Sequence, residues 1–230
     1  MTEARSTYFS GGYFLVKPAI KDESSSELVP HNIVTVSQCR TAILPDTWVY
    51  AGFHYSEEER KTSAERFGIR IDDLPQLRSW AESHSVSHEM EWPNVFSSTE
   101  LARSLVRELE LSTDELLLIG LGYPAAFIDS LGKEDDTVPP MLWAMVNKRI
   151  SMSPLGDILG YDVLGGESVG YHSWLCYHYE EVGFEKFGFR PNRYGLIESL
   201  EDAKKIADHI DAEGTANGPW YPWLVVKYPL

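Results

Sequence analysis

Cysteine is nearly absent. The 230 residues hold two, Cys39 and Cys176. Two thiols cannot build the disulfide framework of a small secreted domain, and they read as reduced and cytosolic. The opening residues Met1-Thr2-Glu3-Ala4-Arg5 lack a basic stretch followed by an apolar run, so no secretory signal is expected. Long hydrophobic runs are missing too; Leu116–Leu121 is far short of a membrane span. Positive charge is scarce, with 20 Lys and Arg against 35 Asp and Glu, a net of -15. That balance argues against a nucleic-acid binder, which must neutralise phosphates, and against attachment to an anionic membrane. There is no G-x-S-x-G elbow, no P-loop, no Cys-x-x-Cys pair, no internal repeat and no Gly/Ser/Pro-rich linker. A single domain over 1–230 follows, with no cofactor motif.

What is present is enough apolar material for a large core. Hydrophobic residues make up 43% and aromatic ones 12%, so the chain can fold without metals or disulfides. The acidity is concentrated: Glu82–Asp136 carries twelve acidic and three basic residues, -9 of the total. Such a block is either a solvated surface or a docking face for a basic protein. On the second reading the contact residues are Glu89, Glu91, Glu108, Glu110, Glu134, Asp135 and Asp136.

The pattern of elements is mixed. Thr7–Phe9 and Tyr13–Val16 read as two strands or one bulged strand, and Ile33–Val36, Trp48–Phe53 and Trp220–Tyr228 as further strands. Lys21–Pro30 is polar and serine-rich and reads as a mobile loop. Ser56–Glu59 has a capping-box form, and Gly68 can close that helix. Leu74, Leu77, Trp80 and Ala81 recur at helical spacing. Ser97–Glu100 repeats the capping box before a stripe of Leu101, Leu105 and Leu109, with Ala102 and Val106 beside it. Leu116–Ile119 reads as a strand buried on both faces, ended by Gly120-Leu121-Gly122. A short helix is expected over Pro124–Leu131, another after Pro139-Pro140, and a strand and turn over Gly160–Gly166. Tyr171–Glu185 reads as a helix. Ser199–Asp202 caps a last helix bearing Ala203, Ile206, Ala207 and Ile210, with Gly214 behind it. Without a βαβ rhythm the fold class is α+β, a mixed or antiparallel sheet with helices packed on it.

Few residues suggest chemistry. Gly120-Leu121-Gly122 matches a dinucleotide fingerprint only in part, because Pro124 interrupts it and no acid follows a second strand; a glycine turn is the simpler reading. His172 and Cys176, four apart on the expected helix, would share a face and could form a thiolate–imidazole pair or hold a metal. The competing reading packs Trp174, Leu175 and Cys176 into the core. His84 and His88 have the i, i+4 spacing of a metal pair, but Ser85-Val86-Ser87 lacks the general-base Glu of H-E-x-x-H.

Gly160–Leu164, His172–Cys176 and Asn192–Ile197, followed by the Ser199–Asp202 cap, resemble a loose group of uncharacterised bacterial proteins. Some of these are similar to immunity proteins of polymorphic toxin systems. The resemblance covers the last third of the chain and implies a cytoplasmic, antitoxin-like protein that masks a toxin's active surface; it assigns no residue a role. The function expected is therefore a non-enzymatic protein that binds a basic partner. The alternative is a small metal- or thiol-dependent enzyme at His172/Cys176 or His84/His88.

Overall fold

The computed structural model describes residues 8–20, 26–37, 40–43, 57–85, 90–91, 95–130, 141–167, 170–214 and 219–230. In chain order the elements are β1 (Tyr8–Lys17), β2 (Ala19–Ile20), β3 (Asn32–Ile33), β4 (Ala42–Ile43), α1 (Glu57–Phe67), α2 (Leu74–Ser85), β5 (Met90–Glu91), β6 (Val95–Phe96) and α3 (Thr99–Glu108). Then come β7 (Leu117–Pro124), α4 (Met141–Asn147), β8 (Asp157–Glu167), β9 (Gly170–Ser173), α5 (Tyr179–Phe187), α6 (Leu200–Glu213) and β10 (Trp220–Tyr228). Short 3-10 turns lie at Ile71–Asp73, Ala125–Ser130 and Trp174–Tyr177.

The strands form one sheet in the order β5-β6-β1-β7-β10-β8-β9, with β4 also on β1 and a separate β2–β3 pair. Every pairing is antiparallel. Strand alternation sends Tyr13, Leu15, Leu118, Leu224, Val226 and Tyr228 to one face, under α1, α2 and α3. Trp220 of β10 lies further along that face, under α6. Phe14, Val16, Ile119, Leu121, Tyr123, Trp223 and Val225 face the other way, against α4 and Val34–Val36. Both faces are thus covered, so the central strands lack polar positions and read as continuous apolar runs.

α+β organisation is as the sequence implies, and several elements fall where the periodicity places them. β1 is the bulged strand, its register shifting between Ser10 and Gly12. Gly68 and Gly214 close α1 and α6, and Ser199 accepts a bond from the Asp202 amide at the start of α6. Other expectations are corrected. The cap of α3 is Ser98, whose hydroxyl accepts from Leu101 N; Ala102, Leu105 and Val106 are buried as expected, while Leu101 and Leu109 are only partly buried. Gly120 is not a turn: β7 runs through it, paired with Tyr13 and Val226, and glycine stands there because the Tyr228 ring comes within 2.9 Å of where a Cβ would be. β8 likewise continues through Gly165-Gly166. Tyr171–Glu185 is strand, 3-10 turn and helix, not one helix. Val29, at the end of the expected loop, is buried in the core. The Trp48–Phe53 strand lies outside the described residues.

Gly12 has φ 101°, and a Cβ there would sit 2.2 Å from Val95 Cγ1. Overpacking costs about 1–3 kcal/mol and left-handed backbone about 1–2 more. Gly12→Ala should lower unfolding stability in urea by about 2 kcal/mol or more.

Candidate functional site

The chemistry of the described residues gathers at a gap in the outer edge of β8. β9 pairs with that edge only over Leu164–Glu167, and further back Tyr161 bridges Ile197. Asp162 and Val163 fall between. The gap is filled by the turn Trp174–Tyr177 and by Val34–Ser37 with Arg40, joined to Asp162 through the Ser173 and Thr35 hydroxyls. Thr35 Oγ1 donates to Asp162 Oδ2, and Ser173 Oγ donates to Oδ1 at 2.7 Å. Each hydroxyl also accepts an amide, Thr35 from Ser37 N and Ser173 from Leu175 N. Thr41 Oγ1 donates to Thr35 O at 2.8 Å, Arg40 Nη2 to Leu175 O at 2.6 Å, and Ser37 Oγ lies 3.2 Å from Cys176 Sγ.

Asp162 is 1% exposed. Burial pushes its carboxyl up to about 7, against the bonds from Thr35, Ser173 and the Val163 amide, which favour the ionised form. A second acid, Glu180 in the first turn of α5, has no exposed surface. His178 Nδ1 stands 3.5 Å from its Oε1. Burial raises this carboxyl as well, with its own backbone amide, His178 and Arg40 opposing.

The expected site residues are distributed as follows. His172 is in β9 and Cys176 in the 3-10 turn, so the shared helical face does not exist. The His172 ring meets Tyr177 edge-on at 5.8 Å, and Cys176 is half-buried. His84 ends α2, stacked on Trp80 at 3.9 Å with Nδ1 2.8 Å from Trp80 O, a placement that serves the helix end. His88, Glu89, Glu134, Asp135 and Asp136 lie outside the described residues, and of Glu91 only the backbone in β5 is described. Among the described residues no three His, Cys, Asp or Glu side chains gather to hold a metal.

Glu108 ends α3 and Glu110 follows it. Trp80 Nε1 donates to Glu108 Oε2 at 2.9 Å, which sets the end of α2 beside the end of α3. Glu82, Glu108, Glu110, Asp114 and Glu115 are all exposed, with Glu82 paired to Arg78 and Glu108 4.0 Å from Arg107. Glu110 and Glu115 have left-handed backbone, φ 48° and 59°. Along the outer side of α3 runs a cleft of about 480 Å³ lined by Ser98, Arg103, Ser104 and Arg107, with Arg103 committed to Pro229 O.

The reading from sequence missed Asp162, Thr35, Ser173 and Glu180. An acid inside the apolar run Tyr161-Asp162-Val163-Leu164 was the available signal. Glu180 gave none, since Glu180-Glu181 looks like any exposed helix start.

Fold and site define an α+β protein: an antiparallel sheet covered on both faces, an edge gap closed around a dry carboxyl, and an acidic end beside α3. The chain matches no family model, no curated protein and no solved structure. Among the described residues no helix is long and apolar enough to cross a membrane.

Because the folded Asp162 carboxyl titrates near 7 and an unfolded one near 3.8, its contribution is full below pH 4 and lost as pH rises to about 7. Against Asp162→Asn, the native chain should lose about 1.4 kcal/mol of stability per pH unit across that window, read from urea unfolding at pH 4.5, 5.5 and 6.5.

Proposed function

We propose that this is a non-enzymatic, cytoplasmic binding protein of the immunity type, which covers a basic surface on a toxin or enzyme. The observation that carries the reading is the acidic end of α3. Carboxylates beside a helix C-terminus oppose the helix dipole, at about 0.3–1 kcal/mol each. Glu110 and Glu115 in left-handed backbone cost about 1–2 kcal/mol each where glycine would cost little. Acidity kept only for solubility has many less strained positions available on this surface. Local strain at exposed charge is the pattern expected where a surface is kept for binding. The net charge of -15 supports the same reading, since opposite charge steers a basic partner into contact.

The test is capture from lysate of the native source with the tagged chain, followed by mass spectrometry. One basic protein near one-to-one, lost as salt rises and lost from a Glu108→Gln, Glu110→Gln, Asp114→Asn, Glu115→Gln variant, is the expected result. Recovery of no basic partner, or recovery indifferent to salt, ends the reading. Separately, Glu110→Gly and Glu115→Gly should each raise stability by about 1 kcal/mol in chemical denaturation while weakening capture.

A further inference from the structure

We propose that the two cysteines of the chain are a redox pair: on oxidation Cys39 and Cys176 join in a disulfide that ties the turn Trp174–Tyr177 to the residues following Ser37, across the gap in the edge of β8. The proposal is independent of the binding function above.

Both residues that touch this part of the turn are close neighbours of Cys39 in the sequence. Ser37 Oγ lies 3.2 Å from Cys176 Sγ. Arg40, bonded directly to Cys39, sends Nη2 to Leu175 O at 2.6 Å, one residue before Cys176. Cys39 lies outside the described residues, but those on either side of it are placed. Arg40 N and Thr41 N both donate to Ser37 O, at 3.1 and 3.0 Å, which holds the two ends of that short stretch together. Two peptide units limit Cys39 Cα to about 7 Å from Ser37 Cα. A disulfide spans about 4.4–6.8 Å between Cα atoms, a distance of the same scale.

Both segments are anchored. Thr41 Oγ1 donates to Thr35 O, and Thr35 Oγ1 to Asp162. Trp174 and Leu175 are fully buried, so Cys176 is presented from a fixed position, itself half-buried. No third cysteine competes for either partner. Arg40 carries positive charge next to Cys39 along the chain and next to Cys176 through Leu175 O, the setting that favours an attacking thiolate.

The oxidant is a small-molecule disulfide, RSSR. One protein thiolate attacks a sulfur of RSSR, forms a mixed disulfide and expels RS anion; the second thiolate attacks the protein sulfur of that mixed disulfide and expels another. Two protein thiols become one disulfide, RSSR is reduced to two RSH, and the two thiol protons end on the leaving groups. In a reducing compartment such pairs are transient and sense redox state.

The folded native chain, equilibrated with glutathione at increasing ratios of oxidised to reduced form and acid-quenched, tests this by intact mass and non-reducing peptide mapping. The expected product is a monomer lighter by two hydrogens, with the Cys39 and Cys176 peptides linked and glutathione adducts minor. Cys39→Ser, which cannot close the bond, should stop at a glutathione adduct on Cys176. Hydrogen exchange of peptides covering 34–41 and 172–178 should slow about tenfold on oxidation while α3 is unchanged. A folded native chain that does not react, that carries two glutathiones, that links chain to chain or that closes the bond only in urea overturns the proposal. So does closure that leaves exchange of both peptides unchanged.

Discussion

The exclusion of water from the Asp162 carboxyl is the constraint around which the C-terminal half of the fold is arranged. A strand ladder would have closed the outer edge of β8 with backbone bonds. β9 ends too early, and a carboxylate stands in the gap. Burying it demands donors, and Thr35, Ser173 and the Val163 amide supply them. Each donor then fixes an irregular segment: Thr35 holds Ser37 and Thr41, and Ser173 starts the turn that carries Cys176. The polar bonds do not fully offset desolvation, which is why the carboxyl titrates near 7 and not in its usual range. The join between sheet edge and loops is therefore specific but only modestly stable.

The two groups of acids are opposites in physical terms. Asp162 and Glu180 are dry and resist ionisation. Glu108, Glu110, Asp114 and Glu115 are exposed, and the cost of placing them arises from backbone and helix dipole. A buried acid influences the fold that covers it. An exposed acidic end acts on whatever approaches it, and the field of a chain at -15 extends only about a Debye length, roughly 10 Å at moderate salt. Close docking is what such a surface can use.

The elements legible in the sequence are those with a strong local signal. α3 and α6 carry capping residues and apolar stripes, and β10 is aromatic and β-branched between breaks. β7 was recognised as doubly buried from Leu116–Ile119, but its end was misjudged. A glycine next to a large ring across the sheet has the same sequence signature as a glycine in a turn, and only the position of Tyr228 separates them. Tyr171–Glu185 failed for a related reason. Its apolar spacing suits a helix, yet Tyr171–Ser173 finds a partner in Leu164–Gly166, and an available strand edge overrides local preference. That same misreading put His172 and Cys176 on one face. Glu108 and Glu110, proposed above to meet a partner, stand out in the sequence because charge count is a property of composition; the Trp80–Glu108 bond that sets α2 beside α3 links residues 28 apart and leaves no mark in either segment.

By itself the sequence determined the α+β class, the capped helices, a core without disulfides and an acidic surface, because propensity, capping and charge are set within a few residues. Tertiary structure alone decided which carboxylates are dry, which glycines lie under rings, and where His172 and Cys176 stand. Those outcomes depend on which distant segment arrives at a given edge, and burial, hydrogen bonding and ionisation all follow from that meeting.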